Sequence, residues 1–153
     1  MAASKFAVDT NCMVALAASW QPNHAATLSD YDRRLSQGGE LVLSSYALLE
    51  AYAVLTRLPG AVRELPETVR RVLLSLFSTA EVVGAQGDDI WSTLEHAADS
   101  GVVGDRVYDA AIAAEAHAAG AQELLTWNVR QMRAVAPPGL KIVSPIAAQG
   151  EAK

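Results

Sequence analysis

Gly38-Gly39-Glu40-Leu41-Val42-Leu43-Ser44-Ser45-Tyr46-Ala47-Leu48-Leu49-Glu50 passes from the end of one helix through a strand and into the next helix. The glycine pair ends the first helix, because glycine takes the left-handed backbone of a helix stop at little cost. Leu41-Val42-Leu43 is apolar at successive positions, which marks a short strand covered on both faces. Ser44 or Ser45 offers a hydroxyl to the free amides of the following helix. That helix runs to about Arg57, where Pro59-Gly60 stops it. A doubly covered strand feeding straight into a helix is the repeating unit of a parallel α/β sheet.

The same alternation extends in both directions. Phe6-Ala7-Val8 reads as a strand that ends in the turn or cap residues Asp9-Thr10-Asn11, followed by a helix over 12–19. Gln21-Pro22-Asn23 breaks the pattern, and Asn23 is placed to cap a second helix to about Gln37. Pro66 opens a helix whose apolar face is Val69, Val72, Leu73, Leu76 and Phe77, and Ala80-Glu81-Val82-Val83 is a strand. Helices over 86–100 and 105–119 close at Gly101 and Gly120. Leu124-Leu125-Thr126 is a strand, Asn128 caps a short helix, and Lys141-Ile142-Val143 is a last strand. The expected architecture is an α/β fold. It has an open, mainly parallel sheet of four to five strands, helices on both faces and right-handed crossovers. One domain is expected over 1–145, with a fraying tail over 146–153.

Composition fits this reading. Hydrophobic residues form 51 % and charged residues 19 % of the 153-residue chain, enough to build one core and too apolar for disorder. A single cysteine, Cys12, cannot form an intrachain disulfide and reads as a small buried thiol. Asp9 precedes any long apolar stretch, and Glu50, Arg57 and Glu81 interrupt the others. Neither a secretory leader nor a membrane span is expected, and the expected location is the cytoplasm. The net charge of −5 argues against a generally basic surface, although a local groove for nucleic acid remains compatible with it.

Ligands of open α/β sheets bind beyond the carboxyl ends of the strands, so polar residues there carry the most information. Asp9 directly follows the first strand, where it is either a helix cap or a carboxylate set at the crevice. Glu50 lies five or six residues beyond the cap, too far for a capping box, and its helical neighbours Tyr46, Ala47, Ala53 and Val54 are mostly apolar. Asp109 lies one turn inside its helix. Asp105, after Gly104, reads as the cap of that helix, although it faces the same side as Asp109. Asn128, taken alone, reads as a helix cap. Carboxylates drawn together in this way repel one another and lose hydration, so a cluster of them calls for a cation. All-oxygen ligands select a hard ion, Mg²⁺ or Mn²⁺, over zinc.

Four segments carry a resemblance: Val8-Asp9-Thr10-Asn11, the run from Leu48 through Glu50 to Arg57, Tyr108-Asp109-Ala110-Ala111-Ile112-Ala113-Ala114, and Leu124-Leu125-Thr126-Trp127-Asn128. In order and spacing they resemble PIN-domain ribonucleases, in particular the VapC toxins of type II toxin–antitoxin pairs. The resemblance implies a PIN-like three-layer sandwich and a Mg²⁺-dependent endoribonuclease. It implies that Asp9, Glu50 and Asp109 are the acidic metal ligands, and it sets Asn128 where a fourth acid often stands. It further implies an RNA substrate, a homodimer and a cognate antitoxin that occupies or distorts the active site. In that scheme Thr10 and Thr126 hydrogen-bond the carboxylates, and Arg57, Arg106, Arg130 and Arg133 are candidates for phosphate contacts.

Other classes are weaker. A catalytically silent PIN-like module that binds RNA or protein is the main alternative. A phosphatase or receiver-type domain lacks its second acid, since Asn11 stands two residues after Asp9, and lysine occurs only at Lys5, Lys141 and Lys153. No glycine-rich phosphate loop is present. His24, His96 and His117 lack metal-ligand spacing, and Trp20, Trp91 and Trp127 do not form a stacking series.

Overall fold

The strands of the sheet are Lys5–Val8 (β1), Glu40–Ser44 (β2), Glu81–Val83 (β3), Glu123–Leu125 (β4) and Lys141–Val143 (β5). They come from a computed structural model that describes residues 4–60 and 63–146. All pairings are parallel, in the order β3-β2-β1-β4-β5. The helices are Thr10–Ala17 (α1), His24–Ser36 (α2), Ser45–Thr56 (α3), Pro66–Phe77 (α4), Gly87–Asp99 (α5), Arg106–Ala118 (α6) and Val129–Arg133 (α7). The expected fold class is therefore the observed one, with five strands. The expected tail falls almost wholly on 147–153, outside the described residues.

Strand order explains the layers. The chain steps outward from β1 to β2 to β3, then jumps back past both to β4 and on to β5. Right-handed crossovers put the connections of these two opposite directions on opposite faces. Helices α1 to α4 accordingly pack among themselves, α5 to α7 do the same, and α3 touches α6 near the end of the sheet. The direction reverses between β1 and β4, and a crevice opens beyond their carboxyl ends. In register, Val8 lies beside Leu125, Asp9 N donates to Leu125 O at 2.9 Å, and Thr126 N donates to Val143 O at 2.9 Å. Asp9 and Thr126 thus emerge side by side at the switch point.

Helix α1 starts at Thr10, earlier than the expected 12–19, because the Asp9 carboxylate accepts from Thr10 N at 2.7 Å. At the start of α3 the capping serine is Ser44, whose Oγ accepts from Ala47 N and donates to Glu115 Oε1 at 2.7 Å. The stop between α2 and β2 needs both glycines. Gly38 has φ +87°, and a Cβ at Gly39 would lie 2.8 Å from the Arg34 carbonyl oxygen.

The core lies on both faces of β1, β2 and β4, where Phe6, Val8, Leu43, Leu124 and Leu125 are buried with Met13 of α1 and Ile112 of α6. Phe6, Tyr31 and Phe77 form a chain of edge-to-face rings joining β1, α2 and α4. Asp30 of α2 is fully buried and paired with Arg33 and Arg34, and Arg34 also reaches Glu123 at 2.6 Å. No helix among the described residues is long and apolar enough to cross a membrane.

Leu43→Ala empties a fully buried site in the central layer and should cost about 2–5 kcal/mol, whereas Leu74→Ala, on the outer face of α4, should change stability by less than about 0.5 kcal/mol. Urea unfolding of the two variants measures the contrast, and equal costs would contradict this packing.

Candidate active site

Asp9 anchors the crevice. Its side chain is buried at 5 % exposure, accepting from Thr10 N through Oδ1 and from Thr126 Oγ1 through Oδ2 at 2.9 Å. The two sequence readings of Asp9, cap and crevice carboxylate, both hold. Burial, with the charges of Asp109 and Glu50 adding to it, raises its pKa from 3.8 to about 6 despite these hydrogen bonds. Buried Cys12 sits nearby with its thiol pKa pushed up by desolvation and by the Asp9 charge, so it is no nucleophile.

The other acids reach the same cavity from different elements. Glu50, on α3, is solvent-exposed and accepts from Thr10 Oγ1 at 2.7 Å. Ala47 and Ala51 beside it are buried in the core, but Glu50 itself is on the open side of the helix. Tyr46 and Leu49 are themselves exposed at 40 % and 71 %, and Tyr46 packs on Tyr108 of α6 with ring centroids 5.6 Å apart. That contact is where the two helical layers meet, and it brings Asp109 of α6 opposite Glu50. Desolvation raises the Asp109 pKa and the Glu50 charge adds to the rise, while Arg106 opposes it. Asp9, Glu50, Asp109 and Asn128 all line one cavity of about 450 Å³.

The caps expected at Asp105 and Asn128 are corrected. Neither side chain makes a capping hydrogen bond. Asp105 has α-type backbone angles, φ −62° and ψ −14°, rather than the extended conformation that turns a cap side chain toward the first amides. It borders a second cavity of about 390 Å³, shared with Glu50, Asp109 and Arg106. Asn23 likewise starts α2 without a side-chain cap. Of the four arginines considered for phosphate, Arg106 alone lines either cavity. Arg133 turns instead toward Ile142 O.

Asn11, given no role in the site by the sequence reading, ties it together. Its Nδ2 donates to Thr126 Oγ1 at 3.1 Å, its Oδ1 accepts from Trp127 N at 3.1 Å, and Asn128 N donates to Thr126 Oγ1 at 3.0 Å. These bonds clamp the β4–α7 connection to the start of α1. Nothing in an Asp-Thr-Asn turn distinguishes this use of Asn11 from routine turn chemistry. Only the β1–β4 adjacency reveals it.

The donor set suits a hard cation in chemistry: three carboxylates and one amide, with Asp9 carrying no basic partner among the described residues. In position it is not yet a coordination sphere, since among the described residues no three His, Cys, Asp or Glu side chains stand close enough to hold a metal ion. Burial is the main cause of the raised Asp9 and Asp109 pKa values, repulsion from neighbouring acids adds to it, and a cation would relieve that added part.

With the geometry in place, comparison with known proteins identifies the class. Residues 6–136 match the family described as PIN domain, and the chain belongs to that family. Among its relatives, Ribonuclease VapC40 of Mycobacterium tuberculosis is 36 % identical over 124 residues, covering 81 % of this chain and 87 % of the relative. Ribonuclease VapC27 of the same species is 32 % identical over 143 residues, covering 90 % and 94 %. The VapBC2 structure from Rickettsia felis, bound to a promoter DNA fragment, superposes with a TM-score of 0.63 at 19 % identity, covering 90 % and 96 %, a likeness of fold.

The burial of Asp9 sets a pH dependence. Between about pH 4 and pH 6 the folded chain holds a proton that the unfolded chain has released, so stability falls as pH rises through that window. The loss approaches about 3 kcal/mol above it. Asp9→Asn forfeits hydrogen bonds at every pH but removes this slope. In EDTA, its melting temperature should therefore gain on the wild type steadily from pH 4 to pH 7. A constant difference would contradict the raised pKa.

Proposed function

We propose that this chain is a divalent-metal-dependent endoribonuclease that hydrolyses RNA phosphodiester bonds, and that it is the toxin of a type II toxin–antitoxin pair. The observation that carries this reading is the convergence of Asp9, Glu50, Asp109 and Asn128, from four separate elements, on one cavity at the switch point of the sheet. The names of the VapC relatives as ribonucleases support the same activity.

Asp9 and Asp109 would hold Mg²⁺ or Mn²⁺ directly, and Glu50 would either join them or orient the attacking water. When bound, the ion supplies polarisation of the scissile phosphate and lowers the pKa of a water molecule. Thr126 and Thr10 N fix the Asp9 carboxylate, and Thr10 Oγ1 fixes that of Glu50, so these oxygens are aimed before substrate arrives. Asn128 adds a neutral oxygen in place of a fourth charge. Arg106, anchored to Gln131 O at 2.9 Å, stands beside Asp109 to meet a neighbouring phosphate.

A homodimer and an antitoxin complete the proposal, with the cytoplasm as the place of action. The exposed apolar side chains Tyr46, Leu49 and Tyr108, next to the site, suit contact with another protein. The VapBC2 structure from Rickettsia felis, which shares this fold, is bound to a DNA fragment from its promoter, in keeping with that reading.

Purified protein incubated with a pool of transfer and ribosomal RNA should yield discrete fragments with Mg²⁺, none with EDTA, and at least a hundredfold fewer for Asp9→Asn or Asp109→Asn. Well-folded protein that never cuts would favour the silent binding module instead.

Metal alone gives a second test. Millimolar Mg²⁺ or Mn²⁺ should raise the melting temperature by a few degrees, since a ligand of the folded state stabilises it. The rise should vanish in Asp9→Asn. An equal rise in both proteins would place the ion elsewhere.

A further inference from the structure

The carboxylates stand at the junction of two cavities that differ in character. One sets Arg106, the only cation among the described residues lining either cavity, beside Glu50, Asp105 and Asp109. The other follows one face of α1, from Thr10 and Asn11 past Val14 and Ala15, and ends at Gln21 and Asn23 beyond the helix. At about 1.5 Å per residue, the stretch of α1 that lines it, Thr10 to Ala15, spans roughly 8 Å. Among the described residues lining it none is Lys or Arg, and carboxylates stand at its mouth. A phosphate would be repelled there.

What the arm offers is neutral and directional. Trp127 lines it with Val14 and Val54. The indole is pinned, because Trp127 Nε1 donates to Thr27 Oγ1 at 2.9 Å and Trp127 N donates to Asn11 Oδ1. Thr27 Oγ1 in turn donates to Asn23 O at 2.6 Å. The side-chain amides of Gln21 and Asn23 make no hydrogen bond with any described residue, and each holds a donor and an acceptor ready. Amides of this kind pair with base edges, and a fixed aromatic side chain supports an unstacked base.

We propose that this arm is a nucleobase pocket: a base next to the scissile phosphate leaves its stack, packs on Trp127 and is read by Gln21 and Asn23. The whole cavity, acid cluster and arm together, is about 450 Å³, within the range of small-ligand sites. The inference rests on the ribonuclease reading. Under it, the amides supply base preference, and Arg106 and the acid cluster handle the phosphates on the other side.

Two measurements test it separately from that reading. In the first, short single-stranded RNAs carrying each base at the positions flanking the cut are compared by kcat/KM. The wild type should prefer one base at one position by about tenfold or more, and Gln21→Ala/Asn23→Ala should reduce the preference to about threefold or less. In the second, Trp127 emission is followed in a Trp20→Phe/Trp91→Phe background, without metal, while AMP, GMP, CMP or UMP is added. One nucleotide should quench at lower concentration than the others, and the double alanine variant should level them.

Cleavage whose preference survives the double substitution overturns the pocket and leaves the nuclease standing. Selective quenching by a protein that never cleaves upholds the pocket and overturns the nuclease. Absence of both overturns both.

Discussion

The carboxylate of Asp9 is the constraint on which the site depends. Three buried acids in this chain show how differently such a group can be accommodated. Asp30, fully buried, is neutralised by Arg33 and Arg34. Glu115 is buried in α6 and satisfied by neutral donors, the Ser44 hydroxyl and Ala85 N at 3.2 Å. Asp9 also has neutral donors, yet it faces two further acids across a cavity, and its pKa remains raised. The first two are complete within the chain. Asp9, hydrogen-bonded yet raised in pKa and set on a cavity with two further acids, is the one that marks a candidate site.

The arrangement follows from topology. Because β1 and β4 are neighbours although far apart in sequence, the start of α1 and the β4–α7 connection meet, and Asn11 and Thr126 hydrogen-bond them into one unit. Because α3 and α6 belong to opposite layers, their contact at Tyr46 and Tyr108 sets Glu50 against Asp109. Each acid is therefore held by the packing of a different element. A loop alone would give neither the spacing nor the rigidity that directed electrostatics requires.

Much of this was legible in the sequence, for identifiable reasons. Short apolar runs such as Leu41-Val42-Leu43, punctuated by Gly38-Gly39 and Ser44, gave the strands and helices their order, with α1 starting two residues before its expected position because Asp9 caps it. Glu50 stood out as an acid without a capping role, although only some apolar neighbours, such as Ala47 and Ala51, are in the core while Tyr46 and Leu49 are exposed beside it. Asp105 and Asn128 were misread as caps, because capping depends on backbone angles that residue type does not determine. Asn11, Gln21 and Asn23 stayed hidden, since turn-forming residues look alike until the fold shows which cavity they border.

Charge sets the terms on which this chain can meet a polyanion. With a net charge of −5 and acids at the centre of the groove, it cannot gather phosphates by a broad basic surface. Attraction must be local, to Arg106 on one side and to a cation among the carboxylates under the proposed mechanism. The remaining recognition then has to come from groups that carry no charge. An amide pair and a fixed indole bind a base equally well on an acidic protein, because their contacts are short-ranged and indifferent to the field around them. If the proposed pocket holds, Arg106 on one side of the acid cluster and neutral amides on the other would let an acidic chain select among RNA sites instead of adhering to all of them.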